Sequence, residues 1–266
     1  MNPKFKEMIK PLANAILRPF TRLGFDPWRV IAYKHYFRYR KERKEWLKKG
    51  GKITRDYMIL YDYEDKAGVA KGHYFHQDLL VAKLIHEHNP KRHVDIASRI
   101  DGLVAHIASY REVEVFDVRP LPKSKHENIL FKQADLMNSN NLDAADSVSC
   151  LHAIEHFGLG RYTDEIDITG HIKGITNLVN LVSNGGRLYI SFPIGKDDEV
   201  HFNAHRVFRK DMILQHPEIK KSMKLVRFDY VDDLGELHLN KTLDDVKSDT
   251  KFGCGIYTFE KLNGIN

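Results

Sequence analysis

The chain has 266 residues, of which 42% are hydrophobic, and a formal net charge of +6 at pH 7. That length suits one large α/β domain with an extension, and a core of that size needs no staples. No stretch approaches the ~20 apolar residues of a membrane span, and no continuous apolar run follows the basic N-terminus, which argues against a secreted or integral membrane protein.

The charge is unevenly spread. Residues 1–50 hold 14 Lys and Arg against 4 Asp and Glu, whereas residues 51–266 hold 28 against 32. The main domain is therefore mildly acidic, which argues against a nucleic-acid groove across it, and the basicity belongs to an N-terminal arm suited to an anionic partner. Phe5, Met8, Ile9, Leu12, Ile16 and Phe20 recur at helical spacing among Lys4, Lys6, Lys10, Arg18 and Arg22. This pattern predicts a basic amphipathic helix, kinked or begun at Pro11. Trp28, Tyr33, Tyr36, Phe37, Tyr39 and Trp46 are then interleaved with Arg29, Lys34, Arg38, Arg40, Lys41, Arg43 and Lys44. Two main readings stand for this arm: it lies on anionic lipid or a partner, or its aromatics pack on the main domain and its charges face solvent; a nucleic-acid arm ranks below both, because no known binding motif surrounds it. Residues 51–73, with Gly51, Gly68 and Gly72, read as a connector, so the expected division is an extension, 1–73, and an α/β domain, 74–266.

In the second part, Asp78 is expected to cap a helix carrying Leu80, Val81, Leu84 and Ile85, which Asn89-Pro90 ends. A short apolar strand begins at His93, followed by a tight turn and a helical stripe of Ile100, Leu103, Val104 and Ile107. Further strands are predicted at Val113–Val118, from Asn128 to Gln133, at Asp146–Leu151 and at Arg187–Phe192. An amphipathic helix, marked by Ile168, Ile172, Ile175, Leu178, Val179 and Val182, is stopped by Asn184-Gly185-Gly186. Two last strands, Lys224–Val231 and Gly255–Lys261, are separated by the turn Asp232-Asp233-Leu234-Gly235 and a long loop. Strands alternating with helices predict a mainly parallel, doubly wound sheet. Cys150 and Cys254 fall within or beside these strands and read as small buried hydrophobes in a reducing compartment.

An open α/β sheet binds its ligand at the carboxyl ends of its strands, so Asp95, Asp117, Asp135 and the segment His152–His156 are expected on one rim. Asp117 ends the second strand, where two carboxylate oxygens can accept both hydroxyls of a ribose; Asp135 follows the third, where it can accept from an adenine amino group. His152-Ala153-Ile154-Glu155-His156 also fits the inverted zinc-protease pattern H-x-x-E-H. That chemistry needs a sustained helix, whereas here the motif follows a strand at once and meets Gly158 and Gly160. No metal site is assigned. His201, Asn203 and His205 alternate and would share one side of an extended segment; His73, His76 and Gln77 could fold over the rim.

Together these residues resemble the class I S-adenosylmethionine-dependent methyltransferases over residues 90–262. The matches are the acids Asp95 and Asp117, Asp135-Leu136, Ile154-Glu155-His156, and Leu181 to Leu188 with its Gly185-Gly186 pair. The runs His93–Gly102 and Phe116-Asp117-Val118-Arg119-Pro120-Leu121 resemble a methyltransferase-like domain family of unknown function, often associated with bacterial surface-polysaccharide biosynthesis. The resemblance implies a doubly wound, seven-strand Rossmann-like methyltransferase sheet whose last strand runs antiparallel, here with a basic helical N-terminal extension. It implies S-adenosylmethionine as cofactor, bound by Asp95, Ala97, Ser98, Arg99, Gly102, Asp117, Asp135, Leu136 and His152. Ala97, Ser98 and Arg99 stand where the family commonly has glycines, and Arg99 would fill the space of the methionine moiety or pair with its carboxylate.

The expected activity is O-methylation of a glycan or sugar, with His156 or His205 deprotonating the acceptor and Glu155 orienting a histidine. The acceptor would be a glycan or another small molecule. The basic residues 1–50 would meet an anionic membrane surface or a glycosyltransferase; no nucleic-acid partner is expected. The protein would be cytoplasmic, peripheral at the inner membrane face. Two other readings stand beside this one: a non-catalytic binding module of the same fold, and a different enzyme using a nucleotide or nucleotide-sugar.

Overall fold

The computed structural model describes residues 31–64, 67–138 and 142–264. The helix expected over residues 5–20, together with Trp28 and Arg29, lies outside the described residues. The chain divides into two units, residues 1–69 and 70–266. In the first, helix α1 (Tyr36–Lys48) has no buried residue. Polar contacts hold it to the segment that follows: Arg43 pairs with Asp56 at 2.6 Å, the Tyr63 hydroxyl donates to Glu42 at 2.6 Å, and Arg38 lies over the Tyr63 ring. Tyr33, Phe37 and Trp46 are exposed.

The second unit is built on a sheet of strands β1 (His93–Ile96), β2 (Val113–Asp117), β3 (Ile129–Gln133), β4 (Ala145–Leu151), β5 (Val182–Gly195), β8 (Met223–Val231), β9 (Leu237–His238) and β10 (Gly253–Lys261), with a hairpin of β6 (Glu199–His201) and β7 (His205–Arg209). Their spatial order is β3-β2-β1-β4-β5-β10-β8-β9. Strands β1 to β5 run parallel, and β10 enters antiparallel between β5 and β8. This is the doubly wound, Rossmann-like sheet expected, with seven main strands and the last one reversed. The short β9 and the β6–β7 hairpin are additions that no periodicity announced.

Both faces are covered because the strand residues alternate. Val148, Cys150, Leu188, Ile190, Tyr257 and Phe259 pack on one side with helices α4 (Gly170–Leu181), α5 (Met212–Gln215) and α6 (Pro217–Ser222). Leu151, Tyr189, Cys254 and Ile256 pack on the other with helix α2 (His73–His88), the π-turn Ile100–Val104 and the short helix α3 (Ala105–Ala108). A period of two in the strands against 3.6 in the helices buries both faces together.

Three local expectations are corrected. Asp78 does not cap its helix: Gly72, at φ +92°, turns the chain so that α2 starts at His73, leaving Asp78 buried inside it. The extended chain of β5 begins at Val182 rather than Arg187, with an irregularity in its pairing to β4 around Ser183–Gly186. His201, Asn203 and His205 do not form one extended run; Asn203, at φ +59°, turns the hairpin and sets His201 across from His205.

The segment after β4 depends on Gly158. It has φ +76°, and a Cβ there would lie 2.0 Å from the backbone oxygen of Asp167. Left-handed strain and overpacking combine, so Gly158→Ala should lower stability by roughly 2–4 kcal/mol in urea denaturation; an unchanged midpoint would show that the loop relaxes freely.

Candidate functional site

A pocket open to solvent lies at the carboxyl ends of β1, β2 and β4 and beside the turn after β3. Its apolar wall comes from Ile96, Phe116, Val118, Leu136, Met137 and Phe157, and its polar groups are Arg99, Asp117, Arg119, Asp135, His152, His156, Tyr162 and Asp164. Sequential strands in parallel order bring these residues to one rim although they are far apart in the chain.

The turn after β1 is shaped from behind. Asp95 is fully buried and does not line the pocket; its Oδ2 accepts the backbone N–H of Ser98 at 3.0 Å and its Oδ1 accepts the Ser149 hydroxyl at 2.5 Å. Burial pushes the Asp95 carboxyl up to about 6 against these hydrogen bonds. Ser98 is also buried, and its Oγ accepts the backbone N–H of Leu151, tying this turn to the end of β4. Between them Ala97 lines the pocket at φ +57°. A residue with the smallest side chain thus takes the left-handed backbone that glycine supplies elsewhere. Gly102 is not at the pocket; a Cβ there would lie 2.3 Å from Oδ2 of Asp78, so it is the point where α2 approaches the π-turn. Arg99 does reach the pocket, with its guanidinium over Tyr74 and an exposed ion pair to Asp101.

Asp117 stands at the end of β2 with its carboxylate already engaged. Arg119 holds it through Nε at 3.0 Å, Nη2 at 2.6 Å and its own backbone N–H at 2.8 Å. The same guanidinium lies 4.4 Å from the centre of the Tyr162 ring. Asp135 is turned on the chain after it, accepting from the Met137 backbone N–H and from the Asn138 amide. Leu136 is buried on the pocket wall.

After β4, His152 sits at φ +48° and begins a short helical turn, Ile154–His156, rather than a long helix. Glu155 is buried, with Oε1 at 2.7 Å from Nδ1 of His152 and 3.8 Å from Nε2 of His156. The carboxylate therefore orients His152 more directly than His156. Nδ1 of His156 lies 2.7 Å from the Ala204 carbonyl, which can only accept, so the proton sits on Nδ1 and Nε2 keeps its lone pair. Burial lowers the His156 pKa, keeping the ring neutral near pH 7. His205 lies outside the pocket lining, 6.5 Å from His156 between ring centres, and its Nε2 is 3.2 Å from Nδ1 of His201.

Of the residues expected from sequence, Ala97, Arg99, Asp117, Asp135, Leu136, His152 and His156 line the pocket, whereas Asp95, Ser98, Gly102, Glu155 and His205 stand behind or beside it. Arg119, Tyr162, Tyr74 and Asp164 were not anticipated. The signal for Arg119 was its place two residues beyond Asp117, which in extended chain puts both side chains on one side. Asp164 accepts the backbone N–H groups of Gly158, Gly160 and Tyr162, and this folds Tyr162 toward Arg119.

Comparison with known proteins gives a family model described as "Caenorhabditis protein of unknown function, DUF268", which matches residues 124–250. No curated protein matches the chain. Among solved structures, the [4+2]-cyclase SpnF is similar with a TM-score of 0.51 and 12% identity, covering 81% of this chain and 91% of that one. The N-methyltransferase NodS of Bradyrhizobium japonicum WM9, in complex with S-adenosyl-l-homocysteine, gives 0.49 and 12%, covering 77% and 92%. The 1,6-didemethyltoxoflavin-N1-methyltransferase of Burkholderia thailandensis gives 0.48 and 14%, covering 70% and 79%. At these identities the likeness is one of fold.

Asp95 supplies a pH test. Its carboxyl is held near 6 in the fold against about 3.9 in an unfolded chain, so its contribution is complete below the lower value and is lost as pH rises through the upper one. Buried His93, pushed down to about 3, acts oppositely, because the unfolded chain takes a proton below about 6.5. Asp95→Asn isolates the first effect: relative to wild type, its stability should rise by roughly 1–3 kcal/mol between about pH 4 and pH 7 in urea denaturation. A difference constant across that range would mean that Asp95 does not titrate there.

Proposed function

We propose that the chain is an S-adenosylmethionine-dependent methyltransferase that methylates a hydroxyl of a glycan or another small acceptor. The observation that carries this reading is the convergence of Asp117, Asp135 and the left-handed Ala97 turn on one apolar-walled pocket at the carboxyl ends of the parallel strands. Its apolar wall with a few convergent polar groups is of the kind that takes a small organic ligand. The residues fit the cofactor: Asp117 would accept the ribose hydroxyls, Asp135 the adenine amino group, and Phe116, Leu136 and Phe157 would enclose the base. The Ala97 turn supports close approach by the backbone, and Arg99 would meet the carboxylate of the methionine moiety.

S-adenosylmethionine, when bound, supplies an electrophilic methyl group. The chain's own part is to position the acceptor and take its proton, a role for which the Nδ1–Ala204 bond leaves His156 its Nε2 lone pair. Glu155 lies behind both histidines and would offset the charge that His156 gains. Arg119 must turn away from Asp117 before a ribose can be accepted, since its two nitrogens and backbone N–H leave the carboxylate little free acceptor capacity. This ion pair favours a second reading, a non-catalytic module of the same fold in which Arg119 keeps the nucleoside position closed.

Calorimetric titration with S-adenosylhomocysteine separates the two. Wild type should bind, Asp117→Ala should weaken binding by roughly 10–100-fold, and Arg119→Met should bind at least as tightly as wild type. Absence of heat with folded wild type, together with no binding by Arg119→Met, would leave the non-catalytic reading. Once an acceptor is in hand, His156→Gln should reduce turnover by about 10²–10⁴-fold while leaving S-adenosylhomocysteine affinity unchanged. Retained turnover would remove His156 as the base.

A further inference from the structure

Behind the pocket wall, three donors from three elements face one another. His73 begins α2, His152 follows β4, and Cys254 is the second residue of β10; one ligand atom from each lies within 4.8 Å of the other two. Cys254 is fully buried and His152 nearly so. Nε2 of His152 is buried with no well-formed hydrogen bond, its nearby polar neighbour being the Cys254 side chain, and a buried ring nitrogen in that state is costly. The other ring nitrogen is fixed: Glu155 holds Nδ1 of His152 at 2.7 Å. The ring of His73 is held by stacking on the Phe252 ring, close to that residue's backbone. Histidines that hold a metal commonly have the second nitrogen bonded to a carboxylate or a backbone carbonyl, as His152 has.

We propose that His73, His152 and Cys254 bind a single zinc ion, with Glu155 as the positioning residue for His152. Two imidazoles on one zinc at ~2.0–2.1 Å, separated by a tetrahedral angle, have ring centres roughly 5 Å apart. The His73 and His152 rings have this separation, 5.1 Å, but are stacked at an interplanar angle of 16°, so one ring must also turn about its side-chain bonds for both lone pairs to meet one ion. Ligand atoms around zinc lie roughly 3.3–3.7 Å from one another, so the triad closes on the ion by about 1 Å, a side-chain adjustment. Two imidazoles and a thiolate favour zinc over the hard cations calcium and magnesium, which take oxygen ligands. On binding, the Cys254 thiol, which in the structure lies 3.6 Å from Oε1 of Gln77, releases one proton to solvent and its sulfur bonds the ion. Three protein donors leave one position of a tetrahedral ion for water or another ligand, the pattern of zinc sites that act on a substrate. His152 itself lines the main pocket, which would put the ion at that pocket's wall.

The site is tested without methyl donor or acceptor, so its outcome is independent of the proposed activity. The full chain, stripped with a chelator, is titrated with zinc against a chromophoric competitor and separately with cobalt(II). The expected result is one zinc per chain and a cobalt spectrum with a thiolate charge-transfer band. Cys254→Ser should abolish that band, and Glu155→Gln should weaken zinc binding by about 10–100-fold with the fold retained. His201→Ala, altering the exposed histidine pair on the hairpin, should change neither stoichiometry nor spectrum. No zinc uptake by folded wild type at micromolar concentration would overturn the proposal whatever the variants do. So would a cobalt spectrum without the thiolate band, or one lost in His201→Ala.

Discussion

The buried carboxylate of Asp95 fixes the relation between β1 and β4 on which the site depends. One oxygen holds the Ser98 backbone and the other takes the Ser149 hydroxyl, while Ser98 in turn accepts from Leu151. A buried charge without partners would be costly, and here serines and a backbone amide supply them. The result is a turn drawn tight enough that Ala97 adopts a left-handed backbone and faces the pocket. His93, the first residue of β1, extends the same chain of contacts through Ser147 and Ser149, so a polar network runs between β1 and the middle of β4.

At the end of β2 on the same rim, charge is balanced by a half-exposed arginine. Arg119 neutralises Asp117 and covers the face of Tyr162, itself brought in by the loop that Asp164 organises. Arg119 is about half exposed, whereas Asp117 is nearly buried, so the pair is held by geometry at one end and solvated at the other. An ion pair of this kind costs little to exchange for another ligand of the carboxylate. Access to the Asp117 carboxylate therefore depends on the conformation of one arginine and not on any rearrangement of the sheet.

A third wall is built of histidines. Glu155 lies behind His152 and His156, one ring aimed toward His73 and Cys254 and the other toward the Ala204 carbonyl. A single buried acid thus serves two imidazoles with different surroundings. The bond from Nδ1 to the Ala204 carbonyl leaves the His156 lone pair on Nε2, and Nε2 of His152 is buried beside the Cys254 thiol. The H-x-x-E-H spacing that suggested a helical metal motif is realised as a strand end and one short turn, because β4 runs directly into it and Gly158 redirects the chain.

The main strands, the long helices, the division of apolar residues and the acids at strand ends were determined by the sequence alone, because they follow from local periodicity and from the rule that parallel strands end on one rim. The same local information could not say which of those acids would face the ligand. Asp95 and Asp117 both close strands, yet only contacts with Ser149 and Arg119, 54 and two residues away, turn the first inward and occupy the second. The hairpin that pairs His201 with His205 and the start of α2 at His73 were fixed by Asn203 and Gly72 in left-handed conformations, which leave no hydrophobic pattern to read. Cys254 looked like any small core residue. Its meeting with His73 and His152 arises only because β10 enters the sheet beside β5 and α2 crosses the same face, a juxtaposition of residues separated by 79 to 181 positions. Such contacts are set by how whole elements pack, and no sequence spacing encodes them.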